Sequence, residues 1–148
     1  MKLSSLPPVG RGTVTIRGVE IAVVPPSQAR RQMVYTLFPA PLAEMGPDPS
    51  KGSNAPWVRR DWEASHVEAV RAWHLKTERM EAALALNIEL EDRGSADATW
   101  KPGDVNAKAW FEAAERAIGE AFTTEELSMI FAELAAIARR LPGEARKN

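Results

Sequence analysis

The clearest hydrophobic pattern of the chain lies near its end, between residues 122 and 141. Apolar side chains recur there every three or four positions, which is the spacing of one helical face. The members of this stripe are Leu127, Ile130, Phe131, Leu134, Ile137, Ala138 and Leu141. Thr123 and Glu126 have the spacing of a capping box, in which each side chain accepts a hydrogen bond from the other residue's backbone N–H. The pattern predicts a helix whose apolar stripe is buried against the other elements, with Leu127, Phe131, Leu134 and Ile137 facing inward.

Two short segments on either side of Gly18 alternate between apolar and polar residues, as half-buried strands do. Gly18 suits a two-residue hairpin turn because such turns need a positive φ. A turn at this position places Ile16 opposite Val19. In the same register Val14 lies opposite Ile21, so the apolar side chains share one face. The pattern predicts a β-hairpin whose apolar face must be covered.

The next stretch combines a helix start with many prolines. Ser27 follows two prolines and is a good helix cap, so a short helix is predicted over residues 27–38. Residues 39–56 contain five of the eleven prolines of the chain. The prolines and the scarcity of apolar residues predict a long loop without a regular element, outside the core.

The second half of the chain is dominated by helical periodicity. Residues 57–92 contain neither Gly nor Pro and predict one long helix, with a possible break near Asn87. Asp104 is placed to cap another helix that runs to about Glu120, before the final helix begins.

These elements together predict a mainly α protein with an N-terminal β-hairpin, an α+β fold built as a bundle of about four helices with a long Pro-rich loop. Residues 1–148 are expected to form a single domain. Its parts are a flexible leader (1–11), a β-hairpin (12–24), a short helix (27–38), a Pro-rich loop (39–56), a helical part (57–141) and a tail (142–148).

Composition narrows the classes of function. Nineteen Lys and Arg residues stand against twenty Asp and Glu, which disfavours a generic nucleic-acid binder with a basic surface. There is no cysteine, which excludes a thiolate nucleophile or a cysteine metal site. Residues 1–9 contain no apolar run of the length expected of a signal peptide, and no stretch approaches the roughly 20 apolar residues that cross a bilayer. We therefore expect a cytoplasmic protein, in the host cell cytoplasm if the chain is viral.

The residue types that commonly carry catalysis or bind metals do not form a recognisable motif in this sequence. His66 and His74 are eight positions apart, too far for the adjacent-turn pair that holds zinc. The acidic residues between positions 78 and 92 are interleaved with Lys and Arg, which is typical of solvated ion pairs on a helix. No glycine loop for phosphate and no nucleophile elbow is present. We expect a protein without catalytic residues, metal or cofactor.

Tryptophan is unusually frequent, with five residues against a single tyrosine. Trp73 and Trp110 fall within apolar stripes and are predicted to be core residues. Trp57 and Trp100 lie beside loops, where a tryptophan can be an exposed anchor, and Trp62 is near Trp57. Because tryptophan is enriched at interface hot spots, we take Trp57, Trp62 and Trp100 as candidate partner-binding residues.

The order of the elements resembles that of the tail assembly chaperones of long-tailed bacteriophages. The resemblance is carried by the hairpin, by the short helix entered through Pro26-Ser27, by the linker and by the threonine-capped late helix at residues 122–127. It implies a non-enzymatic protein that binds the tape measure protein and assists assembly of the tail tube protein around it. Self-association is possible, and no membrane partner is implied.

Three other functions remain open at this stage. One is a structural tail or head–tail component that stays in the virion. Another is a small regulatory helical module that binds nucleic acid through Arg30, Arg31, Arg59 and Arg60. An enzyme is the remaining alternative.

Overall fold

A computed structural model of the chain describes residues 10–52, 54–97 and 99–140. Its elements are β1 (Gly12–Ile16), β2 (Val19–Val23), α1 (Gln28–Leu37), β3 (Met45–Pro47), β4 (Trp57–Arg59), α2 (Ala64–Ala85), α3 (Val105–Ala121) and α4 (Thr124–Arg140). The predicted α+β fold, with an N-terminal hairpin ahead of four helices, is confirmed. Most of the predicted leader (residues 1–9) and the predicted tail (142–148) lie outside the described residues.

β1 and β2 form an antiparallel hairpin, which we call the first ribbon. The predicted register is confirmed, with Ile16 opposite Val19 across the turn. Arg17 and Gly18 both have positive φ, 50° and 78°. Two central residues with positive φ are the mark of the tight turn whose twist matches that of the flanking strands.

The first ribbon buries its apolar face against α4. Val14, Ile16 and Val23 are all buried, and Ile16 is only 3% exposed. Val19 departs from the prediction, since it belongs to the apolar face by register and yet is 60% exposed. The reason is that α4 lies mainly over β1 and contacts β2 much less.

α4 begins with the predicted capping box. The backbone N–H of Thr123 donates to Glu126 Oε1 at 2.9 Å, and the backbone N–H of Glu126 donates to Thr123 Oγ1 at 3.2 Å. The other carboxylate oxygen of Glu126 lies 3.1 Å from Arg17 Nε. One glutamate therefore caps the helix and ties it to the turn of the first ribbon.

The apolar stripe of α4 faces inward as predicted, although unevenly. Leu127 and Ile137 are buried, as is Ile130, whereas Phe131 and Leu134 are half-buried. The rest of the core comes from the second half of α2 and from α3, which form the most extensive helix pair. Its largest fully buried side chains on these two helices are Met80, Trp110, Phe111 and Ile118.

The boundaries of the helices confirm some predictions and correct one. Ser27 caps α1 by accepting from the backbone N–H of Arg30, and Asp104 caps α3 by accepting from that of Asn106. α2 ends at Ala85, close to the expected break, and Asn87 has a left-handed φ of 48°. The helical part does not begin at residue 57, however, because α2 starts only at Ala64.

The prediction that residues 39–56 hold no regular element is also wrong. β3 lies within this stretch and pairs antiparallel with β4, and we call this pair the second ribbon. Each strand has only three residues, too few to show an alternating pattern in the sequence. Among the named elements, β3 and β4 contact mainly each other.

Candidate protein-binding surface

The outer face of the second ribbon is defined by its register. Met45 lies opposite Arg59, and Pro47 lies opposite Trp57. Residues directly opposite each other point to the same side of a sheet, and so do residues two apart on one strand. These four residues therefore share one face, and all four are exposed. Met45 is 43% and Trp57 67% exposed.

The inner face of the second ribbon carries the middle pair, Gly46 and Val58, which are buried and half-buried. The side chain of Arg60 lies over Gly46, where an added Cβ would come within 2.3 Å of Arg60 Cδ. Arg60 then forms an ion pair with Glu63, the residue before α2. The inner face is thus covered by the chain that leads into α2.

The solvated face of this ribbon is unusually apolar. A ribbon with one solvated face normally turns its polar residues to water. Here the solvated outer face carries a tryptophan, a methionine and a proline beside its one charged residue, Arg59. Among the described residues, half of the ten exposed large apolar side chains fall between positions 42 and 67. They are Leu42, Met45, Trp57, Trp62 and Val67. The other five are scattered along the rest of the chain, from Val19 to Met129.

A cavity of about 240 Å³ lies between the start of the second ribbon and the start of α2. Its walls include Leu42 and Glu44 on one side and Arg60, Glu63 and His66 on the other. His66 Nε2 is 3.7 Å from the carboxylate of Asp61. In the parts of the chain that the structure describes, no group of three or more His, Asp or Glu side chains is placed to hold a metal ion.

The candidate tryptophans are placed in two different environments. Trp57 and Trp62 are exposed, at 67% and 49%, on the second ribbon and in the turn before α2. Trp100 does not have the exposure expected of it. It is half-buried and packs against the core. Its ring lies 5.8 Å from that of Trp110 and 6.1 Å from that of Phe111. Trp57 and Trp62 are therefore exposed residues five positions apart, whereas Trp100 packs against the core.

The two tryptophans predicted for the core satisfy their indole N–H groups with backbone carbonyls. Trp110 is 1% exposed and donates to the carbonyl oxygen of Gly94 at 2.9 Å. Trp73 is half-buried and donates to the carbonyl oxygen of Phe38 at 2.7 Å. Both bonds tie a loop or a helix end to a helix.

A smaller cavity of about 130 Å³ lies beside Trp100. Arg30 and Asp97 supply its charges, and Met33 and Leu84 belong to its apolar wall. The pKa of Asp97 is lowered, mainly by the hydrogen bond from the Thr99 hydroxyl and then by the bond from the Thr99 backbone N–H. The Asp97 carboxylate therefore accepts its hydrogen bonds from within its own turn.

Three of the four arginines considered for nucleic acid are occupied within the chain. Arg31 Nε is 3.2 Å from Glu81, which also accepts a hydrogen bond from the Tyr35 hydroxyl at 2.9 Å. Burial and this bond raise the pKa of Tyr35. Arg60 pairs with Glu63, and Arg59 donates to the carbonyl oxygen of Ala43 at 2.9 Å.

Comparison with known proteins gives no family for the chain. No protein-family model, no curated protein and no solved structure matches it. Within residues 10–52, 54–97 and 99–140, no helix combines the length and the apolar character needed to cross a membrane. The function of the chain is therefore inferred from the chemistry of its surface.

Proposed function

We propose that this chain is a non-enzymatic protein-binding factor that holds its partner on the outer face of the second ribbon. The observation that carries the proposal is the apolar outer face of this ribbon, on which Met45 and Trp57 are exposed to solvent. Tryptophan offers a large apolar area with little side-chain entropy to lose, which is why it dominates many interfaces. The nearby exposed residues Leu42 and Trp62 extend the same chemistry.

The specific form of the proposal is a tail assembly chaperone of a long-tailed bacteriophage. Such a factor would cover apolar stretches of the tape measure protein and give way when tail tube subunits arrive. A small apolar surface suits this task, because a partner that must later be displaced is better held by several weak contacts than by one tight site.

The distribution of charge supports a protein partner over a nucleic acid. Arg31 and Arg60 are paired with carboxylates, and Arg59 is bonded to a backbone carbonyl. The net charge of the whole chain is −1. A phosphate backbone would have to compete with these internal partners, whereas an apolar segment would not.

Co-expression tests the proposal directly. The tagged chain is produced together with the tape measure protein and the tail tube protein encoded in its genetic neighbourhood, and the purified complexes are identified. Recovery of the tape measure protein is expected, and recovery of neither protein would contradict the proposal. A chain found in finished particles would instead be a structural component of the virion.

A matched pair of variants assigns the surface. Trp57→Ala should weaken the complex by at least about 2 kcal/mol, the range of an interface hot spot. Val105→Ala is the control, because Val105 is 81% exposed and lies at the start of α3, far along the chain from the second ribbon. Equal affinities of the two variants would show that the partner binds elsewhere.

A further inference from the structure

The hydrogen bonds at the two ends of the second ribbon show which backbone groups of one strand point towards the other strand. The N–H of Arg60 donates to the carbonyl oxygen of Glu44 at 2.9 Å, and the N–H of Asp48 donates to that of Pro56 at 3.0 Å. In an antiparallel pair, hydrogen-bonded and non-bonded residue pairs alternate. The bonded pairs therefore fall at alternate positions, with Gly46 and Val58 as the pair between these ends.

Trp57 and Arg59 consequently have N–H and C=O groups that point away from β3. Within the described residues these four groups have no hydrogen-bond partner. The outer edge of β3 is different, because Pro47 has no N–H to offer there. β4 thus presents the one edge of the second ribbon on which every backbone group is available for another strand.

We infer that two copies of this chain pair through β4, edge to edge and antiparallel, about a two-fold axis at Val58. In this register Trp57 of each copy lies opposite Arg59 of the other. Both residues then exchange N–H and C=O bonds across the axis, as the bonded pairs of an antiparallel ladder do. Four hydrogen bonds form, and they use all the outward groups of both strands.

The side chains of this pairing are complementary to one another. On the outer face each Trp57 lies directly opposite Arg59 of the second copy. In the pairing the Arg59 guanidinium leaves the carbonyl oxygen of Ala43, to which it donates in the single chain, and lies over this indole. A cation over an indole ring is the most favourable of the cation–aromatic contacts. A strand of unrelated sequence could use the same backbone groups, but it would not supply this reciprocal pair. A second copy is therefore the partner that fits the edge best.

The paired copies form a sheet of four strands in the order β3, β4, β4, β3. Its outer face carries two copies each of Met45 and Trp57. The inference goes beyond the proposed function, because it concerns the chain alone and holds whatever partner the outer face binds. Because each strand contributes only three residues, the dimer is expected to be weak.

The first test compares self-association of the purified chain and of two variants by sedimentation, from low micromolar to millimolar concentration. Arg59→Ala loses the guanidinium and keeps the N–H, whereas Arg59→Pro loses both. The wild type should associate, and Arg59→Pro should dimerise at least about tenfold more weakly than Arg59→Ala, because it lacks two hydrogen bonds per dimer. A wild type that stays monomeric throughout, or equal association of the two variants, would overturn the inference.

The second test does not depend on a proline and uses the absence of cysteine from the chain. In the inferred register the two Val58 residues form a non-bonded pair with Cα atoms about 4.5 Å apart, within the range of a disulfide. Val58→Cys should therefore form a disulfide-linked dimer under mild oxidation. The matched control is Met45→Cys, whose Cα atoms lie three strand spacings apart and are also offset by two residues along the strands, which separates them by about 16 Å. Equal cross-linking of the two variants, or none at Val58→Cys, would overturn the inference. Because both tests use the chain alone, a failure of the proposed function would leave their outcome unchanged.

Discussion

The two ribbons of this protein have the same topology, but only the first one turns most of its large apolar side chains away from water. In the first ribbon, Val14, Ile16 and Val23 are buried against α4 and the core. In the second ribbon, the face with Met45 and Trp57 is exposed, and the face with Gly46 is covered. The difference shows that one ribbon stabilises the fold, whereas the other displays apolar surface that the fold does not need.

The difference arises from what each face can be packed against. The first ribbon has branched side chains on its inner face and a helix to receive them. The second ribbon has Gly46 and the half-buried Val58 there, and the flexible side chain of Arg60 fills the space over the glycine. A short ribbon with so little to bury depends on the chain around it for its stability.

The largest effect on stability is expected from a truncation in the first ribbon. Ile16→Ala should lower the free energy of unfolding by about 2 to 5 kcal/mol, because Ile16 is 3% exposed and its truncation leaves a cavity. Met45→Ala, at an apolar position of the second ribbon, should change it by no more than about 0.5 kcal/mol. Denaturant unfolding of both variants measures the difference. Similar losses would show that the second ribbon also belongs to the core.

A smaller effect is expected at the cap of α4, the helix that holds the first ribbon. Thr123→Ala should cost about 1 kcal/mol, the usual loss for a helix cap. The loss should raise hydrogen exchange in α4 and the first ribbon while leaving the second ribbon unchanged. Thr124→Ala is the control, since Thr124 is exposed and its side chain is no part of the cap. If the two variants were equally stable, the capping box would contribute nothing.

The smallest effect is expected for the pKa of a carboxyl group in the turn of the second ribbon. Hydrogen bonds from the Ser50 hydroxyl, and then from its backbone N–H, lower the pKa of Asp48. A lowered pKa means that the contribution of Asp48 is fully present above the unfolded-state pKa and is lost as pH falls through the folded-state pKa. Ser50→Ala should move the pKa of Asp48 back toward its ordinary value.

An NMR titration of the carboxyl carbons measures this change. Asp97 is the internal control, because Thr99 lowers its pKa through the same kinds of bond. The pKa of Asp97 should not respond to Ser50→Ala. An unchanged pKa of Asp48 in the variant would show that the turn is not closed by Ser50.

The sequence predicts the first ribbon much better than the second. Five-residue strands that alternate around Gly18 specify both the turn and the register, and the Thr123–Glu126 spacing specifies the start of α4. The strands of the second ribbon are too short to alternate visibly, and their pairing joins positions separated by a long proline-rich turn. Without that pairing, residues 57–59 are read as the beginning of the long helix.

The candidate binding residues show the same limit. The exposure of Trp57 and Trp62 agrees with their position beside a loop, whereas Trp100 is drawn into the core by Trp110 and Phe111. The burial of Trp100 depends on how its loop folds back onto α3, which the residues of the loop do not specify by themselves. Loop position alone therefore does not separate an exposed tryptophan from one that packs against the core.

Hydrogen exchange of the chain is best compared with and without the proposed partner, the tape measure protein. Binding should slow exchange in the second ribbon, around Trp57 and Arg59, and leave the first ribbon as it is in the free chain. Slowed exchange confined to the first ribbon or to α3, with the second ribbon unchanged, would contradict the account.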